Sequence, residues 1–176
     1  EAHYCDCYRA AIVLSISALD AYIRKVVVSE IRNILANPGR QLSRGLSEYI
    51  KLLLNQDKLL DAARKSNLLD VVENAVKEDF STKSFQGEWK ITTHLEMVGH
   101  GEIFSKVSVK ANINEKNLKE QISRYTGRRH VIAHSGDYDL NQTPHQENTI
   151  TKEYAIECVK LVSLFAQTMN EIMEER

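Results

Sequence analysis

The sequence predicts an all-α fold, a helical bundle of about five to seven helices. Three observations carry this reading. Apolar residues recur at steps of three and four along most of the 176 residues. Only two prolines and seven glycines interrupt them. Apolar–polar alternation never lasts beyond a few residues, except in "KVSVKA" at 106–111, which is read as helix. The length suits one domain with a sizeable core, taken as 1–176. Its opening, "EAHYCDCYRA", has no Met and is already helical in pattern, so a piece of a longer protein is expected.

The first helix is expected from Tyr4 to Asn37. It carries Tyr8, Ile12, Ile16, Leu19, Ile23, Val26 and Ile34, with a second apolar row through Ala11, Leu14, Ala18 and Tyr22. A helix apolar over so much of its circumference should sit at the centre of a bundle. "NPGR" at 37–40 ends it. A short helix follows over Arg44–Leu54, then a third over Lys58–Lys77. Ser81 or Thr82 is expected to cap a fourth helix running through Met97, with Trp89 as a packing residue. "VGHGE" breaks that helix, and Glu102–Ala111 is amphipathic again.

Asn114 is the expected N-cap of the next long helix, with Glu115 in its first turn. Leu118, Ile122, Tyr125, Val131 and Ile132 supply its apolar positions, and Gly136 stands where a helix stops. A polar loop from Asp137 to Asn148 contains Pro144. Thr149 or Thr151 then opens the last helix, with one stripe through Tyr154, Cys158, Leu161, Val162, Phe165, Met169 and Ile172.

Composition narrows the function classes. The chain is 43% hydrophobic and 27% charged, as globular proteins are. A net charge of -1 and a pI near 6.7 exclude a generally basic surface, so any nucleic-acid contact must come from a local patch. Cys5, Cys7 and Cys158 form neither a disulfide framework nor a zinc knuckle, which points to a reducing, cytoplasmic setting. The longest apolar run, Ala10–Leu19, is half a membrane span, so no membrane association is expected.

The chemistry concentrates in "RRHVIAHSGD", 128–137. Four residues apart on a helix, His130 and His134 stack on one face, while the long stem of Arg129 lets its guanidinium reach round toward His134. A planar cation that grips phosphate beside an imidazole that moves protons is what metal-free RNA cleavage requires. The helix dipole alone also favours arginines and histidines at a helix C-terminus, and both readings stand. His-x-x-x-His suggests zinc as well, yet the glutamate of His-Glu-x-x-His and a third ligand are missing, so no metal and no cofactor are expected. Arg124 and Arg128, with Lys116 and Lys119, make the helix basic, for RNA backbone or simply for solvent. Asp20 interrupts the apolar face of the first helix and is an auxiliary candidate beside the motif, or a buried partner for an arginine.

Arg129-His130-Val131-Ile132-Ala133-His134 resembles the Arg-x4–6-His signature of the HEPN superfamily, including its apolar-apolar-small run before the histidine. The motif stands late, at the end of the penultimate long helix. "RAAIVLSISALDAYIRKVV" is similar to the opening helix of HEPN domains of the RiboL-PSP type. The resemblance implies a dimer whose arginines and histidines line a shared cleft, and a metal-independent endoribonuclease of toxin–antitoxin systems, anti-phage defence or RNA processing. It implies that Arg129 binds the scissile phosphate and His134 is the acid/base; Arg128, Arg124 and His130 of the same basic helix are the further candidates for binding RNA or phosphate. The expected partners are RNA, a second copy of the chain, and an antitoxin or further domains of the same protein. Two departures stand out: His130 replaces the family's frequent Asn, and Gly136 replaces a tyrosine that some toxin members have modified by a partner enzyme. Tyr138 lies two residues too late, so that control is not carried over. The alternatives are a non-catalytic HEPN module that binds RNA or a nucleotide or dimerises, and a scaffold whose Arg129 and His134 face solvent.

Overall fold

A computed structural model describes residues 2–139, 141 and 143–175. The described residues form an all-α structure: α1 (Ala2–Ala36), α2 (Arg44–Leu53), α3 (Gln56–Arg64), α4 (Leu68–Ser81), α5 (Glu88–Met97), α6 (Ile103–Ala111), α7 (Glu115–Ser135) and α8 (Lys152–Glu174). A two-residue antiparallel ladder, β1 (Tyr138–Asp139) with β2 (Gln146–Glu147), interrupts the polar loop. No helix among the described residues is long and apolar enough to cross a membrane. The helices fall into two compact units, one of residues 1–21, 86–88 and 103–176, the other of 22–85 and 89–102.

In the first unit, α6, α7 and α8 pack on one another. Ile103, Phe104 and Val107 of α6, Ile122 and Tyr125 of α7, and Cys158, Phe165 and Met169 of α8 are buried, and the Phe104 and Phe165 rings meet at 5.1 Å. The first half of α1 adds Ile12, Ile16 and Leu19. Burial drives the Cys158 thiol up to about 11, which removes it as a nucleophile near neutral pH. In the second unit α4 packs on α2 and α3. Its aromatic centre is Phe80, edge-on to Phe85 at 4.7 Å and stacked with Tyr49 at 5.7 Å.

Several boundaries differ from the sequence reading, each for a local reason. There are eight helices among the described residues because the segment expected as one helix over 58–77 breaks at Ser66. Ser66 takes a left-handed φ of 54°, and the Asn67 N–H turns back to the Ala62 carbonyl. Asn55, not anticipated as a cap, starts α3 by accepting from the Lys58 N–H. Ser81 and Thr82 end a helix rather than start one: α4 runs through Ser81 with Thr82 as C-cap, because Phe80 buries on the face of Val72 and Val76. The following helix begins only at Glu88. Trp89 is 71% exposed and packs little. The second apolar row of α1 is not core either, since Leu14 is 68% exposed. The other caps stand as expected: Asn114 accepts from the Asn117 N–H, Thr151 from the Tyr154 N–H, and Gly136 closes α7 at φ 60°.

Candidate functional site

The motif occupies the last two turns of α7. Apolar residues of α7 hold the first part of the helix, with Leu118, Ile122 and Tyr125 buried, while the motif end emerges toward the surface. His130 and His134, one turn apart on an exposed face, bring their ring centroids to 4.3 Å, tilted by 47°. Arg129 is half-buried. Among the described residues it makes no ion pair, and its Nε is buried without a hydrogen-bond partner. A guanidinium left uncompensated in this way is set up to receive an oxyanion, the one ligand class that satisfies its charge and its planar donors together.

The remaining basic residues of α7 are committed within the protein. Arg128 Nη2 donates to Asp137 Oδ2 at 2.7 Å and to the carbonyls of Asn148 and Thr149 at 3.3 and 3.1 Å. Arg124 lies over the rings of Tyr125 and Tyr154, at 4.9 and 5.3 Å, and donates to the Tyr125 hydroxyl. Asp20 is buried, eleven residues beyond Arg9 along α1, hence about 16 Å along the helix axis. Arg9 is the α1 residue that bonds Asp137, next to the end of α7. Arg129, His130 and His134 therefore form the surface-facing part of the candidate site, while Arg128 and Arg124 shape it from behind.

Arg9, Asp137 and Asn148 form an arrangement that the sequence reading missed. Asp137 follows Gly136, and both have left-handed backbones, at φ 70° and 60°. The Asp137 side chain is fully buried and takes Arg9 Nε at 2.9 Å on the same oxygen that Arg128 uses. Its backbone carbonyl accepts from the N–H and the Nδ2 of Asn148, both at 2.8 Å. Arg9 also meets Asp6 at 3.3 Å and Glu147 of β2 at 3.0 Å. Burial works against the charged form of Arg9, but the bond to Asp137 and the charges of Glu147 and Asp137 outweigh it and raise its pKa. A signal for Arg9 was available: it stands in the heptad-like row that continues through Ile12, Ile16 and Leu19, and a buried arginine calls for a carboxylate. The left-handed Asp137 turns the chain sharply out of α7, so its carboxylate fixes the end of the helix that carries His134.

Among the described residues no group of three histidine, cysteine or acidic side chains could hold a metal ion. The sequence model described as RiboL-PSP-HEPN matches residues 6–175. No curated protein and no solved structure matches the chain.

Proposed function

The chain belongs to the RiboL-PSP-HEPN family, and from that premise we propose that it is a metal-independent endoribonuclease acting as a homodimer. Membership supports a nuclease or RNA-related role in general. The observation that carries the finer reading is the unpaired Arg129 on the same two turns of α7 as the exposed His130/His134 pair.

In this reaction Arg129 grips the non-bridging oxygens of the scissile phosphate, and its fixed charge offsets the charge that accumulates as the phosphorus becomes five-coordinate. His134 takes the proton from the ribose 2′-hydroxyl. The 2′-oxygen bonds to phosphorus while the bond to the 5′-oxygen breaks, and the leaving oxygen takes a proton from an imidazolium. One imidazole cannot serve as base and acid on opposite sides of the phosphorus in one step, so the partner's His134 supplies the second proton. The products are a 2′,3′-cyclic phosphate and a 5′-hydroxyl. His130 stacks on His134, restricts its rotamers and adds a donor for the neighbouring phosphate. Arg128 and Arg124, tied to Asp137 and to the tyrosines, support the helix and lend it positive potential. Service in toxin–antitoxin pairs or in defence against phage, with an antitoxin or additional domains as partner, fits an RNA-cutting activity that needs restraint.

The test is incubation of the purified protein with mixed-sequence RNA in EDTA, beside Arg129→Ala and His134→Ala. Cleavage to cyclic-phosphate ends, lost in both variants and unaffected by chelation, is the expected result. RNA binding without turnover, equal in wild type and His134→Ala, would replace this reading with a non-catalytic RNA-binding module.

A further inference from the structure

The second unit contains a cavity of about 560 Å³ that the nuclease reading does not use. It lies within the size range of small-molecule sites. One wall is aromatic: Phe80 and Tyr49, whose rings stack at an interplanar angle of 22°. Met97 adds a polarizable thioether to the lining, and Gly45, in the first turn of α2, adds bare backbone. A Cβ built at Gly45 meets nothing within 4 Å.

The polar groups of this cavity are nearly all satisfied internally. The Tyr49 hydroxyl donates to Asp79 at 2.6 Å, which with burial raises its pKa. Lys83 pairs with the same carboxylate at 2.5 Å and lies 5.4 Å from the centre of the Tyr49 ring. Ser43 donates to the Met97 carbonyl and accepts from the Leu46 N–H. Thr93 and Glu96 are exposed and face water, so among the half-buried polar groups of the lining His94 is the exception. Its Nδ1 lies 2.7 Å from the Lys90 carbonyl, and because a carbonyl oxygen only accepts, Nδ1 carries the proton. Burial lowers the pKa of this imidazole, against the bond to Lys90, so the ring is neutral near pH 7. Its Nε2 is then a bare lone pair, without a partner among the described residues. The ring is fixed by Phe85 at 4.2 Å and by the edge contact with Phe80 at 5.8 Å. The lining therefore offers the half-buried Tyr49 ring backed by Phe80, the Met97 thioether and one half-buried, oriented acceptor, with the Glu96 carboxylate at the solvent side and the one ammonium already neutralised by Asp79.

We propose that this cavity binds a small planar aromatic molecule bearing an N–H or O–H donor, with its ring against Tyr49 and Met97 and its donor on His94 Nε2. The site is independent of the proposed cleavage chemistry, and its test reads binding alone. Indole is the probe, and indene, the same shape without the N–H, is the control. Titrated into the full chain and followed by NMR of the Met97 methyl and the His94 ring, indole is expected to give saturable shifts, with indene at least about fivefold weaker for want of the hydrogen bond. Gly45→Phe fills the cavity from a helical backbone position with open space before it. It should keep the wild-type circular dichroism and melting profile and lose the indole shifts. His94→Leu should bind both probes equally. No saturable shift with millimolar indole, equal affinity for indene and indole in the wild type, or undiminished indole binding in a folded Gly45→Phe would each overturn the proposal.

Discussion

Arg9 Nε donates to Asp137 Oδ2 at 2.9 Å, joining the first helix to the residue that turns the chain out of α7. The carboxylate is fully buried and the arginine side chain is 9% exposed, so neither group can turn to water if the other is lost. Removing one member of such a pair costs about 3–5 kcal/mol. Asp137→Ala is expected to lose about that much in urea denaturation, while Arg128→Ala, whose side chain is 21% exposed, should lose less. Equal and small losses in the two variants would show that Asp137 does not anchor the end of α7.

Arg129 and His134 lie outside the packed core, and their substitution should separate activity from stability. Arg129→Ala and His134→Ala are each expected to reduce cleavage by at least about 100-fold while shifting the unfolding midpoint within experimental error. Arg129→Lys keeps the charge but not the planar fork, and it should restore only part of the rate. A large midpoint shift in His134→Ala would instead mark that residue as structural.

Two glycines of the motif region should respond to alanine with opposite signs. Gly136 caps α7 at φ 60°, where a Cβ is strained, and Gly136→Ala is expected to cost about 1 kcal/mol. Gly127 lies inside the same helix with nothing within 4 Å of a built Cβ. Gly127→Ala should gain up to about 1 kcal/mol in the isolated protomer. Thermal unfolding of the two variants under identical buffer checks both signs.

His94 should impose a pH dependence on stability. Burial lowers its folded-state pKa below the ordinary value of 6.5. The unfolded chain therefore binds the proton more readily, and stability falls as pH drops from about 6.5 through the lower folded value. Above pH 7 the contribution is complete. Glu30 is also lowered, because bonds from Asn33, His100 and Arg40 outweigh its burial. Its contribution is lost further down, as pH falls from the ordinary carboxylate range. Urea midpoints at pH 7.5 and 5.5 should differ more in the wild type than in His94→Leu, and equal differences would refute the assignment.

The helical periodicity made most of the fold readable, because it reports which face of each helix is buried. Ile12, Ile16, Leu19 and Ile23 fall on the expected stripe, and Asn114, Gly136 and Thr151 cap as their side chains or backbones dictate. Periodicity alone could not show that Ser66 adopts a left-handed turn, since serine carries no marker for that conformation. Nor could it show that Phe80 belongs to the helix before it rather than the one after. In the candidate site, spacing along one helix and the family resemblance pointed to Arg129, His130 and His134 as candidates. The Arg9–Asp137 pair stayed hidden because its members are far apart in the chain, and the apolar row was followed through Tyr8 instead of Arg9. Arg128 and Arg124 look alike in sequence to Arg129, and only their tertiary partners distinguish supporting cations from an unpaired one.

The bond between Arg9 and Asp137 spans 128 positions of the chain. Closing so long a loop is entropically expensive and slow compared with forming any single helix. A nascent chain that has emerged only as far as α6 presents Arg9 with Asp6 but with none of Asp137, Glu147 or Asn148. The end of α7 thus acquires its anchor only after residues 1–137 have left the ribosome. Assembly order itself delays completion of the His134 environment until β2 and Asn148 have followed α7 out.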